Sequence, residues 1–339
     1  MQPLVSILIP AYNAQEWIAD TIRSALAQTW QRKEIIVVND GSTDQTFSVA
    51  QRFASKNVIV VTQENRGAAA ARNHAFSLSQ GDFIQWLDAD DLLSANKLAK
   101  QLELSAQYQD SRMLFSSGWG YFTYQADQAK FSSTSLWCDL SPVEFLLRKM
   151  GEHLHMQPAT WLVSRDLTEA AGPWDIRLCY DDDGEYFCRV ILASNGIRFA
   201  PEGRVFYRRT PTSRVSYVGR SVKKQDALLI SMQLHVKYIR SLEDSDRVRA
   251  ACLAYLQSWL INFYPERPDI VAELEKLAGT LGGRLDKPRL RWKYAWIKPL
   301  FGWDLAKSAQ IRLPEIKASL MRSWDRFLYK LEKSGRDRF

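Results

Sequence analysis

The chain has 339 residues, 46% apolar and 24% charged, with 16 Gly and 12 Pro, a balance that excludes low-complexity disorder, collagen and small disulfide scaffolds and indicates a globular protein of about two domains. Its net charge of +7 is uneven: residues 284–339 hold 15 Lys and Arg against 6 Asp and Glu, leaving 30 against 32 for the rest. A nucleic-acid footprint would not be partitioned this way, so nucleic acid is not expected as a partner. Cys138, Cys179, Cys188 and Cys252 form no paired motif, which argues for reduced thiols in the cytoplasm rather than a zinc site or disulfide framework. No secretory signal or membrane-spanning segment is expected.

In chain order, β-rich runs at 4–9, 34–39, 57–62 and 83–87 alternate with amphipathic segments. Trp17, Ile18, Thr21, Ile22, Ala25 and Leu26 repeat at helical spacing, as do Phe47, Val49, Ala50 and Phe53 after the cap candidates Ser42, Thr43 and Asp44. A third helix is expected over 67–79. The pattern predicts an α/β fold with a mainly parallel sheet, whose right-handed crossovers bring all strand C-terminal ends to one edge, where ligands bind. No GxGxxG follows any strand, which disfavours a dinucleotide-binding oxidoreductase. Beyond lie a strand-like run at 113–122, a helix at 142–150, a run at 160–164, a helix near 184–194 and a helical stretch over 223–264, then Gly279, Gly282 and Gly283 as a linker.

Two acidic clusters carry the chemistry. Asp88, Asp90 and Asp91 follow the fourth strand, and three carboxylates in four positions repel one another unless a cation neutralises them. Mg²⁺ or Mn²⁺, sharing oxygens with a diphosphate, is the natural partner. The competing reading is a helix start, with Asp91 and Ser94 capping 95–107. The second cluster is Asp181-Asp182-Asp183 ahead of Gly184-Glu185-Tyr186-Phe187-Cys188-Arg189.

Pro10-Ala11-Tyr12-Asn13, Asn39-Asp40-Gly41-Ser42-Thr43-Asp44, Asn65-Arg66-Gly67 through Arg72-Asn73, and Leu87-Asp88-Ala89-Asp90-Asp91 occur in this order at the ends of successive elements. Over residues 4–215 this resembles a family 2 glycosyltransferase with the GT-A fold. The resemblance implies that Pro10, Ala11 and Tyr12 line the nucleotide base, that Asp40 accepts a hydrogen bond from it, and that Arg72 helps hold the nucleotide or its diphosphate. A carboxylate suits a uracil imide, which is a donor. It further implies Asp90 as principal metal ligand and Asp88 as ribose or metal contact. The second cluster resembles the family's Glu-Asp motif with Asp182 in the Glu position, making Asp183 the general base that takes the acceptor hydroxyl's proton. The reverse assignment, Asp182 as base and Asp183 as cap, stays open. Tyr207-Arg208-Arg209, followed by Ser213 and Ser216, resembles the segment that closes over the donor. Thr210 stands where many members have histidine, so Arg208 or Arg209 would substitute for it electrostatically. The bland alternative is a solvated basic loop.

His153 and His155 lack a third nitrogen or sulfur partner, which argues against a metal there. Trp161 and Trp174 read as core residues, with an acceptor-site role as the alternative for Trp174. The implied organisation is a catalytic domain over 1–215, with a donor half at 1–112 and an acceptor half at 113–215, then a helical region at 216–278 and a basic, Trp-rich tail at 279–339. The tail mixes Arg289, Arg291, Lys293 and Lys298 with Trp292, Trp296 and Trp303, as a bilayer interface would favour. From 316 to 331, Ile316, Leu320, Trp324, Phe327, Leu328 and Leu331 share a helical face. The alternative is packing on the catalytic domain or a second subunit. The expected function is inverting, metal-dependent transfer of a hexosyl or N-acetylhexosaminyl group from a nucleotide-sugar, a UDP-sugar, to a glycan or lipid-linked acceptor at the cytoplasmic membrane face, in cell-surface polysaccharide synthesis. Its rival is a catalytically silent sugar-nucleotide-binding module.

Overall fold

All seven residues of Val5–Ala11 (β1) are buried, which a strand achieves only inside a sheet covered on both faces. The computed structural model, which describes residues 2–108, 110–210, 218, 219, 221–303, 305–310, 313 and 316, supplies that cover. Helix α1 (Ile18–Leu26) leads to β2 (Lys33–Asp40), α2 (Thr46–Gln51) to β3 (Val58–Gln63), and α3 (Ala68–Leu78) to β4 (Phe83–Trp86). β1 pairs in parallel with both β2 and β4, and β2 pairs in parallel with β3. Pro10, which has no N–H to give a ladder, lies past the end of β4's pairing with β1. The sheet order is β3-β2-β1-β4-β8, and the four strands and three crossover helices expected from the sequence are all present.

Past β4 come β5 (Leu92–Leu93), α4 (Lys97–Ser105), β6 (Met113–Phe122), β7 (Lys130–Phe131), α5 (Pro142–Gly151), β8 (Val163–Ser164), α6 (Arg165–Ala171), α7 (Asp182–Ala193) and β9 (Gly196–Arg208). The run expected at 160–164 shortens to β8, antiparallel to β4, because Pro158–Thr160 forms a 3₁₀ turn. β9 had no counterpart among the expected elements. It is the second strand of a sheet ordered β5-β9-β6-β7 and pairs in parallel with β6, with a register shift at Ser117/Gly118. This ladder carries the chain from the second sheet back to the acidic turn after β4.

The helical stretch expected over 223–264 divides into α8 (Val222–Leu242) and α9 (Asp246–Trp259), with Glu243 extended between them and Ser245 capping the second. α7 packs on α8, α5 packs on α9, and α10 (Pro268–Thr280) completes this end. One apolar core runs from Val5 to Leu281. Tyr294, in the short helix α11 (Trp292–Ala295), joins Ile297 and Ala306 in a separate small cluster. The buried Lys307 ties that segment to the body by donating to the Tyr264 carbonyl at 2.6 Å. No helix among the described residues is long and apolar enough to cross a membrane. Ser213, Ser216 and residues 320–331 lie outside the described residues.

Candidate active site

The acidic turn after β4 closes on itself, the Asp91 N–H donating to the Asp88 carbonyl at 3.1 Å. Asp91 is wholly buried, and its Oδ1 accepts from the Arg208 N–H at 2.9 Å. Neither Asp91 nor Ser94 caps a helix: α4 starts at Lys97, and the Ser94 hydroxyl accepts from the Arg204 N–H at 3.1 Å. Both instead pin β9 to the turn. Burial first, then repulsion from Asp88, raises the Asp90 pKa to about 7, against the opposing pull of Arg208 and a hydrogen bond from Thr210. Burial and repulsion from Asp90 likewise lift Asp91. Crowded, desolvated carboxylates of this kind favour a bound cation or a proton.

The two arginines at the end of β9, of which one or the other was expected to substitute for a histidine at the donor, sit differently from each other. Arg208 is 3% exposed, its Nε donates to the Asp90 carbonyl at 2.8 Å, and its guanidinium lies 4.7 Å from the Trp17 ring and 4.5 Å from the Phe122 ring. It supports the acidic turn from behind. Arg209 is exposed and stacks over Tyr121 at 3.8 Å. The residue at the expected histidine position, Thr210, is buried against Asp90.

Arg72, on the inner face of α3, joins the two acidic clusters. One terminal nitrogen donates to Asp88 at 2.8 Å and the other to Asp182 at 2.7 Å, while the guanidinium lies 4.3 Å from the Trp174 ring. Burial opposes its charge, but Asp88 and Asp182 outweigh that and raise its pKa. Trp174 is core, 2% exposed and stacked on Tyr186 at 4.0 Å, with its backbone gripped on both sides by Asn73. Its ring backs Arg72. Trp161 is also core.

Asp182 and Asp183 occupy the first turn of α7, where the helix dipole favours negative charge. Burial raises both pKa values to about 6; Arg72 opposes the rise at Asp182, and Asp181 adds to it at Asp183. Asp183 Oδ1 accepts from the Gly184 N–H at 2.9 Å, which orients the carboxylate.

The loops that follow β1 and β2 interlock. Asn13 donates from its N–H to the Ser42 hydroxyl at 3.0 Å and accepts from the Thr43 N–H at 2.9 Å, while Asp44 accepts from the Gln15 and Thr46 N–H groups. Ser42 therefore serves the neighbouring loop, and of the cap candidates it is Asp44 that bonds the start of α2. Gly41 has φ +64°, and a Cβ there would stand 2.6 Å from Asn65 N. The Asp40 carboxylate accepts from Gln63 Nε2, Arg66 N and Gly67 N at 2.8–2.9 Å. A carboxylate offers about four acceptor positions, so one on Oδ2 remains for an incoming donor. Pro10 and Ala11 are buried and Tyr12 is exposed.

His153 and His155 stand apart: His153 Nδ1 lies 3.0 Å from the Ser258 hydroxyl and His155 packs 5.0 Å from the Trp119 ring. Sequence reasoning missed the Arg72 bridge between the clusters and the support given by Arg208, which depend on long-range packing.

The profile described as Glycosyl transferase family 2 matches residues 6–169. An Escherichia coli protein named UDP-Glc:alpha-D-GlcNAc-diphosphoundecaprenol beta-1,3-glucosyltransferase WfaP is 30% identical over 196 residues, covering 58% of this chain and 72% of that protein. Of two other curated relatives the chain spans 63% of the length. Among solved structures, Staphylococcus aureus TarS 1–349 in complex with UDP-GlcNAc superposes with a TM-score of 0.63 at 15% identity, covering 92% of each chain. The mannosyltransferase PcManGT from Pyrobaculum calidifontis, in complex with GDP-Man and Mn²⁺, gives 0.54 at 19% identity, covering 96% of this chain and 85% of the other.

Proposed function

The chain belongs to glycosyl transferase family 2, and on that premise we propose that it moves a sugar from a UDP-sugar to a hydroxyl of a glycan or lipid-linked saccharide, with inversion at the anomeric carbon. The observation that carries this reading is Arg72, which holds an acid of the β4 turn and an acid of the α7 start at 2.8 and 2.7 Å. Residues 88 and 182 thereby share one site, with a donor edge on one side and a base on the other.

In this site Asp183 is the general base. Its Oδ1 is committed to Gly184 N–H, and Oδ2 takes the proton of the acceptor hydroxyl as that oxygen attacks the anomeric carbon and the bond to the nucleoside diphosphate breaks. A pKa of about 6 keeps the group ionised yet basic near neutrality. Asp182 is held by Arg72 and steadies the turn that carries the base. Asp40 Oδ2 accepts the imide N–H of the uracil, and Tyr12 covers its face.

Asp90 and Asp88 fit a hard divalent cation, Mg²⁺ or Mn²⁺: both offer oxygen donors, Asp88 through the oxygen that Arg72 does not hold, and burial with repulsion from Asp88 disfavours the bare charge on Asp90. When bound, such an ion supplies positive charge to the leaving diphosphate. Among the described residues no group of three or more His, Cys, Asp or Glu side chains is placed to hold a metal, so the donor's phosphate oxygens and water would have to supply the remaining ligands.

The relative WfaP is named for a lipid-diphosphate acceptor, which supports cell-surface polysaccharide synthesis as the setting here. Trp292, Trp296, Leu300 and Phe301 are 59–86% exposed beside Arg289, Arg291, Lys293 and Lys298. This surface suits peripheral attachment to an anionic bilayer at its cytoplasmic face. Nucleotide release over a panel of UDP-sugars with Mn²⁺ and GlcNAc-diphosphoundecaprenol tests the reading. UDP release that is lost in Asp90→Ala and in Asp183→Asn supports it, whereas tight donor binding without turnover under any condition would make the chain a binding module. Flotation with phosphatidylglycerol vesicles, lost in Trp292→Ser/Trp296→Ser, tests the tail.

A further inference from the structure

The first turn of α7 is held on both flanks by one face of α8. Ahead of the acid pair, Asp181 adopts the left-handed conformation (φ +55°, ψ +28°) and its Oδ2 accepts from the Ser231 hydroxyl at 2.5 Å. Behind the pair, the Gly184 carbonyl oxygen lies 2.9 Å from His235 Nε2, and Nδ1 of the same ring lies 2.8 Å from the Ser231 carbonyl oxygen. Ser231 and His235 are one helical turn apart on α8 and are 0% and 1% exposed. Lys149 of α5 closes the arrangement, its Nζ 3.0 Å from His235 Nε2. A Cβ at Gly184 would stand 2.1 Å from Asp181 Oδ1, so any larger residue there would displace the Asp181 carboxylate.

A non-glycine residue in the left-handed region is strained and persists where its surroundings over-determine it. The Ser231 hydroxyl is what holds Asp181 there. The Glu185 N–H, first of the helical ladder, donates to the Asp181 carbonyl at 3.1 Å, so the backbone angles of Asp181 set where α7 begins and hence where the next two side chains point. We propose that Ser231 of α8 is a positioning residue that fixes the orientation of Asp183 by holding Asp181 immediately ahead of the acid pair. This inference rests on the reading of Asp183 as the base. It makes the helical region after residue 221 part of the catalytic apparatus, although none of its side chains touches substrate.

The test compares wild type with Ser231→Ala, Ser231→Cys and Ser231→Thr. Hydrogen exchange on the full chain is expected to show the Glu185 amide exchanging at least tenfold faster in Ser231→Ala, with the middle of α7 unchanged. With the donor and acceptor returned by the nucleotide-release panel, kcat is expected to fall about tenfold while donor KM and the calorimetric affinity for UDP stay within twofold. Ser231→Thr, which keeps the hydroxyl, restores most of kcat, and Ser231→Cys, nearly isosteric and so expected to fold, is intermediate. Unchanged Glu185 exchange, exchange raised throughout α7 and α8, or a loss that appears in KM and UDP affinity instead of kcat would overturn the proposal. Asp183→Asn run beside these separates the two claims. An active Asp183→Asn removes the base assignment, and an inactive one beside a fully active Ser231→Ala removes only the clamp.

Discussion

Replacing Arg72 with methionine removes the cation from between two acids and leaves an apolar chain of similar length over Trp174. The side chain is 7% exposed, with ion pairs of 2.8 Å to Asp88 and 2.7 Å to Asp182. Removing one partner of a buried ion pair typically costs about 3–5 kcal/mol, because the other charge stays behind without compensation, and the lost cation–π contact adds about 1 kcal/mol. At roughly 2 °C per kcal/mol for a chain of this size, the loss predicts a Tm lower by about 8–12 °C. The pH dependence follows from Asp182, which burial raises to about 6 even with Arg72 opposing the rise; without Arg72 it moves higher still. An acid whose folded pKa lies above its unfolded value destabilises increasingly as pH rises between the two, and then by a constant amount. The variant therefore incurs an extra penalty only above about pH 6, and its deficit against wild type is larger at about pH 8 than at about pH 5. Thermal unfolding by circular dichroism at both pH values, in the presence of chelator, reads this directly. A Tm within about 2 °C of wild type at the higher pH, or an equal deficit at both, would refute the reasoning.

Other outcomes follow from the same site. Asp183 with a pKa of about 6 predicts that kcat rises with pH through that value and then levels, because the base must be deprotonated; a rate that is flat from about pH 5 to 8 would count against its role. Asp183→Asn is expected to lower kcat by about 10²–10⁴-fold while UDP affinity measured by calorimetry stays unchanged. Gly41→Ala places a methyl 2.6 Å from Asn65 N at φ +64° and is expected to cost about 1–3 kcal/mol in chemical denaturation; wild-type stability would mean the turn relaxes freely.

Much of the donor half is legible in sequence because its rules are local. Buried parallel strands read as apolar runs, so β1 to β4 stand out, and Asp88, Asp90 and Asp91 follow β4 directly. β9 is not legible in the same way. Its 13 residues alternate irregularly between buried and exposed, with Pro201 and Glu202 outward, and its partner β6 lies more than 80 residues earlier. The sequence leaves Arg208 between a donor contact and a solvated basic loop, since nothing local reveals that Trp17 and Phe122 bracket it. The sequence singles out Arg72 as a candidate, but its two partners, 16 and 110 residues away, emerge only when the turn after β4 and the start of α7 are brought to α3.

The interlocked loops after β1 and β2 bear on how base selectivity can change. Asn13 and Gln15 on one side, and Ser42, Thr43 and Asp44 on the other, bond reciprocally, so neither loop keeps its shape if only its partner is exchanged. Grafting a single loop from a transferase that uses another nucleotide strands unmatched backbone donors at the rim and is expected to disable the recipient. Transplanting both together preserves the interlock, so nucleotide preference here should be inherited, and redesigned, as a two-loop module.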